Sequence, residues 1–237
     1  MDMKKRWTIV YFCFIPTTIF VDFCIKTNFI HKIGMLEAIF NLILIFYCIS
    51  RRKSKFINND WLLVEALLFT CVAGIISQLY DSIELLIFIN IVGFYLTQFT
   101  YISIFRNEGS ILPPYYLALK EWKILVFSLS FIIGFIFFLI PHIPNKLLVI
   151  GFVYATQMLI LVWMGYYRPI RKKIYNQGLL GIALLIISNL FLTISLLTYP
   201  FPYVALIYFI FYANSQLFIT KSILKNANLS LPSDNPL

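Results

Sequence analysis

Runs of about 20 apolar residues, the length a helix needs to cross a hydrocarbon core, follow one another along this chain with little between them. Eight can be drawn, over 7–25, 33–50, 61–79, 83–105, 121–140, 145–167, 176–198 and 201–224. Prolines fall in the gaps: Pro113 and Pro114, Pro141 and Pro144, Pro169, Pro200 and Pro202 stand where helices must stop. The narrowest gap, Tyr80 to Ser82, separates the third and fourth runs. Composition agrees with this division. Charged residues are 12% of the chain, against about 25% in a soluble domain. So few charges cannot cover a water-facing surface, and the wealth of aromatic and β-branched side chains rules out disorder. The expected fold is all-α, a polytopic membrane helix bundle of eight transmembrane helices, with 1–237 forming a single transmembrane domain.

A net charge of +9 would suggest nucleic acid in a soluble protein. Here the basic residues sort by side instead. Lys4, Lys5, Arg6, Arg51, Arg52, Lys53, Lys55, Arg106, Lys120, Lys123, Arg168, Arg171, Lys172, Lys173, Lys221 and Lys225 fall on one side of the eight crossings. Only Lys26, Lys32 and Lys146 fall on the other. That asymmetry marks the cytoplasmic loops, places both termini in the cytoplasm and makes nucleic acid an unexpected partner. The first run opens on Lys-Lys-Arg but ends in Asp22-Phe23-Cys24-Ile25-Lys26, with no small-residue cleavage site, so it reads as a helix rather than a signal peptide. Short basic loops without a targeting tail favour a bacterial inner (cytoplasmic) membrane.

Several chemistries lack their residues. Cys13, Cys24, Cys48 and Cys71 form no Cys-x-x-Cys pair and read as small buried hydrophobes. His31 and His142 have no companion ligands at metal spacing, so no zinc site is expected. A retinal lysine and a glycine-rich phosphate loop are missing too, and no cofactor is expected. What remains is polarity inside the spans, which is costly and therefore informative. Asp22, Glu37, Asp81 and Glu84 stand at the outer ends of spans one to four, with Lys32 as a nearby counter-charge. Deeper lie Gln98, Gln157, Ser188, Asn189, Asn214 and Gln216, amides and hydroxyls that serve either as helix glue or as a site. Tyr154, Tyr208 and Tyr212 are ambiguous in the same way. In span seven Gly178, Gly181 and Ala183 permit close helix approach before the Ser188–Asn189 pair. At about 1.5 Å per residue Asn189 lies roughly 20 Å from the cytoplasmic start, on the same side of the midplane as Asp81.

The order of these motifs resembles the lysoplasmalogenase-like, or YhhN-type, eight-span membrane proteins. That family opens its second span on Lys-Pro, where this chain has His31-Lys32-Ile33-Gly34. It closes the third on Gly-Asp, here Tyr80-Asp81. A glycine, an aromatic, a histidine and a tyrosine follow, here Gly93-Phe94-Tyr95-Leu96-Thr97-Gln98-Phe99-Thr100-Tyr101. The sixth span is similar through Val153-Tyr154-Ala155 and Met164. The small-residue run ending in Ser-Asp is echoed by Gly181-Ile182-Ala183 and Ser188-Asn189, and the last span by Tyr212-Ala213-Asn214-Ser215-Gln216-Leu217. The likeness runs from about residue 8 to 224. Three positions depart from the pattern: the family glycine is Tyr80, its histidine is Gln98 and its second aspartate is Asn189.

The resemblance implies hydrolysis of the vinyl ether bond of lysoplasmalogen, a membrane lysolipid, releasing an aldehyde and a glycerophospho-base. This reaction protonates the β-carbon and adds water to the resulting oxocarbenium ion. A carboxyl group kept protonated by apolar surroundings and a second, ionised carboxylate divide that work. Asp81 is the catalytic candidate and Asn189 is limited to hydrogen bonding, so the second acid must be Glu84, one helical turn on, or Glu37. Lys32, Gln98, Tyr101, Tyr154, Ser188, Tyr212 and Gln216 are the implied substrate-binding residues. Two other readings stay open: a catalytically impaired relative that binds a lysolipid or another amphiphile, and an accessory or transport protein. The last lacks a relay of acids and bases through the spans.

Overall fold

The computed structural model describes residues 29–52, 56–79, 82–112, 121–143, 145–197 and 204–230. These form seven long helices and no strand. They are α1 (Phe29–Arg52), α2 (Asn58–Ile76), α3 (Ile83–Asn107), α4 (Trp122–Gly134), α5 (Leu148–Tyr166), α6 (Lys172–Leu197) and α7 (Val204–Ser230). A wider π-helical turn, Phe135–Leu139, extends α4. Six segments are long and apolar enough to cross a membrane, and they coincide with the second to seventh expected spans. α7 occupies the place expected for the eighth, and the first expected span lies outside the described residues. The chain is a helical membrane bundle.

Its surface and core are inverted relative to a soluble protein. Phe46, Trp61, Phe99, Phe137 and Val149 are exposed on the outside, while Gln98, Ser215, Gln216, Thr220 and Ser222 are fully buried. The solvent of the outer face is lipid, so apolar side chains there cost nothing, and polar ones turn inward to find partners. α7 carries the most polar inner face, with Tyr208, Tyr212, Gln216 and Thr220 stacked at intervals of four along it.

Small residues set the helix spacings. α6 and α7 form the most extensive pair in the bundle. A Cβ on Gly181 would sit 2.8 Å from Ile219 Cγ1 and 2.9 Å from the Ile219 amide nitrogen, so only glycine lets these backbones approach so closely. Gly178 faces Arg168 and Ser222 in the same seam. Ala183, expected to serve the same approach, is exposed instead. Inter-helix side-chain bonds reinforce the packing. Gln157 Nε2 donates to the Tyr95 carbonyl at 2.8 Å, joining α5 to α3, and Trp163 Nε1 donates to Ser128 Oγ at 2.8 Å, joining α5 to α4.

Two buried arginines hold the C-terminal part of α7. Arg52 donates from Nε to Asp60 at 2.8 Å and from Nη2 to the Leu224 carbonyl at 3.2 Å. Arg168 pairs with Glu108 at 2.6 Å, donates to Ser222 Oγ at 3.0 Å and lies 4.3 Å over the Phe105 ring. Burial pulls the Arg168 guanidinium below its ordinary pKa, and the Glu108 carboxylate pulls it back up. Asn226 completes the arrangement by donating to the other Glu108 oxygen at 3.0 Å.

Candidate functional site

The polar residues inside the bundle fall into two adjoining groups. The first is a layer across its centre. Glu37 and Asn41 lie one turn apart on α1 and are both buried. Asn41 Nδ2 donates to Thr70 Oγ1 of α2 at 2.9 Å and to the Tyr212 hydroxyl of α7 at 2.8 Å. Tyr208, stacked on Tyr212 with centroids 5.8 Å apart, donates its hydroxyl to Glu37 Oε1. Tyr101 of α3 donates to Gln216 Oε1 of α7. Tyr154 of α5 lies alongside Gln98 and within electrostatic reach of Glu37. Neither amide atom of Gln98 makes a well-formed hydrogen bond, although the residue is fully buried. Asn41 Oδ1 and Gln216 Nε2 are also without a partner. An unbonded polar atom in such a place costs several kcal/mol, on the order of a lost hydrogen bond or more, so this layer holds unused bonding capacity.

The second group is a cleft of about 110 Å³ between α3, α4, α5 and α6. Its walls are mostly apolar, among them Ile91, Phe94, Phe131, Phe135, Met158 and Leu190. The π-helical turn presents Phe135 to the cleft, where it meets Phe152 edge-on at 5.4 Å. Gly151 leaves room in the floor, since a Cβ there would reach only ordinary contact with Ile143 and Phe135. Polar lining residues are few. Asn90 Nδ2 bonds the Leu86 carbonyl and Thr193 Oγ1 the Asn189 carbonyl, each within its own helix. Asn189 is 4% exposed and its Nδ2 has no partner, so one amide donor is presented in an otherwise greasy wall. A lining of this polarity suits an apolar chain with one or two oriented polar contacts.

The two groups share a wall. Tyr154 lines the cleft and lies beside Gln98; Phe94 lines it and packs edge-on against Tyr212 at 6.0 Å. Most lining residues sit toward the end of the bundle where α3 and α5 begin and α4 and α6 end.

The structure thus brings Gln98, Tyr101, Tyr154, Tyr212 and Gln216 into one layer and Asn189 into the adjoining cleft. Ser188 is buried beside Asn189, but its hydroxyl bonds the Leu185 carbonyl of its own helix at 2.8 Å. Asp81 lies outside the described residues, as do the side chains of Lys32 and Glu84, whose backbones belong to α1 and α3. Glu37, expected at an outer span end, is 3% exposed in the interior. Asn41, Thr70, Asn90 and Thr193 were not singled out from the sequence. The spacing of four between Glu37 and Asn41 within an apolar run is the signal that marks the first of these. Among the described residues no three His, Cys, Asp or Glu side chains gather at one place.

A family model described as the YhhN family matches residues 35–223. No curated protein matches the chain. No solved structure does either.

Proposed function

The chain belongs to the YhhN family, and from that premise we propose that it is a lysoplasmalogenase-like membrane hydrolase that cleaves the vinyl ether bond of a lysolipid. The observation that carries this reading is the apolar cleft with the unbonded Asn189 amide in its wall. The alkenyl chain of a lysoplasmalogen occupies the cleft, and the Asn189 amide donates to a substrate oxygen or holds the attacking water. Asp81 stabilises the oxocarbenium ion and orients that water, with Glu84 as the neighbouring carboxyl. Protonation of the β-carbon, addition of water and collapse of the hemiacetal yield an aldehyde and a glycerophospho-base.

The amide at position 189 favours a second reading. Where hydrolysis needs two carboxyls, an amide there suits a relative that binds a lysolipid without cleaving it. Purified protein given lysoplasmalogen separates the two. The hydrolase releases aldehyde, and Asn189→Asp raises the rate. A binding relative releases none, yet lysolipid raises its melting temperature. Absence of both effects would remove the lipid reading.

The proposed topology has eight spans and cytoplasmic termini, in a bacterial inner membrane, supported by the asymmetry of basic residues. A cysteine introduced beside Lys172 should then react with an impermeant thiol reagent only from the cytoplasmic side; labelling from outside would invert the orientation.

A further inference from the structure

We infer that the alkyl chain of the lipid runs along α5 against Gly151, and that the side chain this residue lacks is what makes the cleft wide enough to take it. The inference rests on the lipid reading above and deepens it by naming the residue that selects the chain. It holds whether that lipid is cleaved or only bound.

Several glycines of the described helices are required by packing. A Cβ on Gly74 would run into the Gly34 carbonyl, one on Gly93 into Ala73, and one on Gly165 into Ile182. On Gly178 and Gly181 it would run into Ser222 and Ile219 of α7. Gly151 has no such reason to be glycine. It is buried near the start of α5, and a Cβ there would lie 3.4 Å from Ile143 Cδ1 and 3.9 Å from Phe135 Cζ. Those are ordinary contact distances between carbons, and alanine is the better helix former. Gly134 is also unconfined, but it does not line the cleft.

What packing does not explain, the cleft does. Gly151, Ile143 and Phe135 all line it, the first from α5 and the other two from the π-helical turn and the connection that follows. A methyl on Gly151 would join these two sides in contact and take that space from an occupant. The lining along this helix runs from Leu147 to Met158, about 16 Å at about 1.5 Å per residue, so the cleft is elongated along the helix axis. The Asn189 Nδ2, buried and without a partner, supplies a donor in the same lining. A long apolar slot with a polar contact at one place matches an alkyl chain attached to an oxygen.

The probe is hexadecyl-glycerophosphocholine, a saturated-ether lysolipid with no vinyl ether to cleave, titrated into the purified protein in nanodiscs. Glycerophosphocholine, which lacks the chain, is the control. Wild type should bind the lysolipid and not the control. Gly151→Ala should weaken binding about fourfold, the worth of one displaced methylene, while the melting temperature of the lipid-free protein stays the same or rises. Gly151→Leu should weaken it by about 100-fold or more, several methylenes' worth of contact. Adding Phe135→Ala to Gly151→Leu should restore much of that loss, because the ring it removes faces the new side chain. Wild-type affinity in both Gly151 variants would overturn the inference and leave the lipid reading intact. Weaker binding together with a lowered melting temperature in Gly151→Ala would make the glycine a packing residue and also overturn it. A wild type that binds no lysolipid would overturn the lipid reading, and this inference with it. If Gly151→Leu does not fold, Gly151→Ala, whose methyl meets only ordinary contacts, decides the question.

Discussion

Arg168→Met will lower the unfolding free energy by about 3–5 kcal/mol, the cost of leaving a buried acid without its counter-charge. Arg168 is 4% exposed, and its guanidinium reaches across elements. It joins the end of α3 through Glu108, α7 through Ser222, and the Phe105 face beneath it. Methionine keeps the stem and removes all of these, and the Glu108 carboxylate then stays buried beside Asn226 alone. Thermal or denaturant unfolding in detergent reads the loss. Adding Glu108→Gln to Arg168→Met should recover much of it, because a neutral pair needs no counter-charge. A double variant no more stable than the single one would show that the charge balance is not what Arg168 provides.

Asp81→Asn will abolish lysoplasmalogen turnover, lowering kcat by roughly 100- to 10,000-fold, while the melting temperature stays near that of wild type. Asparagine keeps the size and the hydrogen-bonding reach of the side chain but cannot hold a negative charge beside the oxocarbenium ion. The cleft lies toward the end of the bundle where α3 begins, and position 81 precedes that helix by two residues. Full aldehyde release by the variant would take Asp81 out of the mechanism.

Glu37 shows how far the sequence carries toward the site. Its type was legible, since a carboxyl within an apolar run is expensive and asks for a reason, but its burial was not, the sequence placing it at an outer span end. Its partner was not. Tyr208 lies 171 positions away, on a helix whose neighbours no local pattern names. The same holds for Tyr101 with Gln216, 115 positions apart. Gln98, Tyr154, Tyr212 and Gln216 were recognisable through the order of their motifs, yet only packing sorted them into a layer and set Asn189 apart in the cleft. Ser188, adjacent to Asn189 in sequence, is turned back onto its own backbone.

The sequence by itself determined the existence, length and order of the described helices, because a helix in lipid satisfies its backbone within its own segment and needs only enough apolar residues to do so. It marked α6 as a helix that another can approach closely, through Gly178 and Gly181, and packing made α7 that neighbour. Which face of each helix turns inward was left to the tertiary structure. Helices apolar nearly all round carry little information about their rotation, so the partners of a buried carboxyl, amide or phenol emerge only when the neighbouring helices are in place.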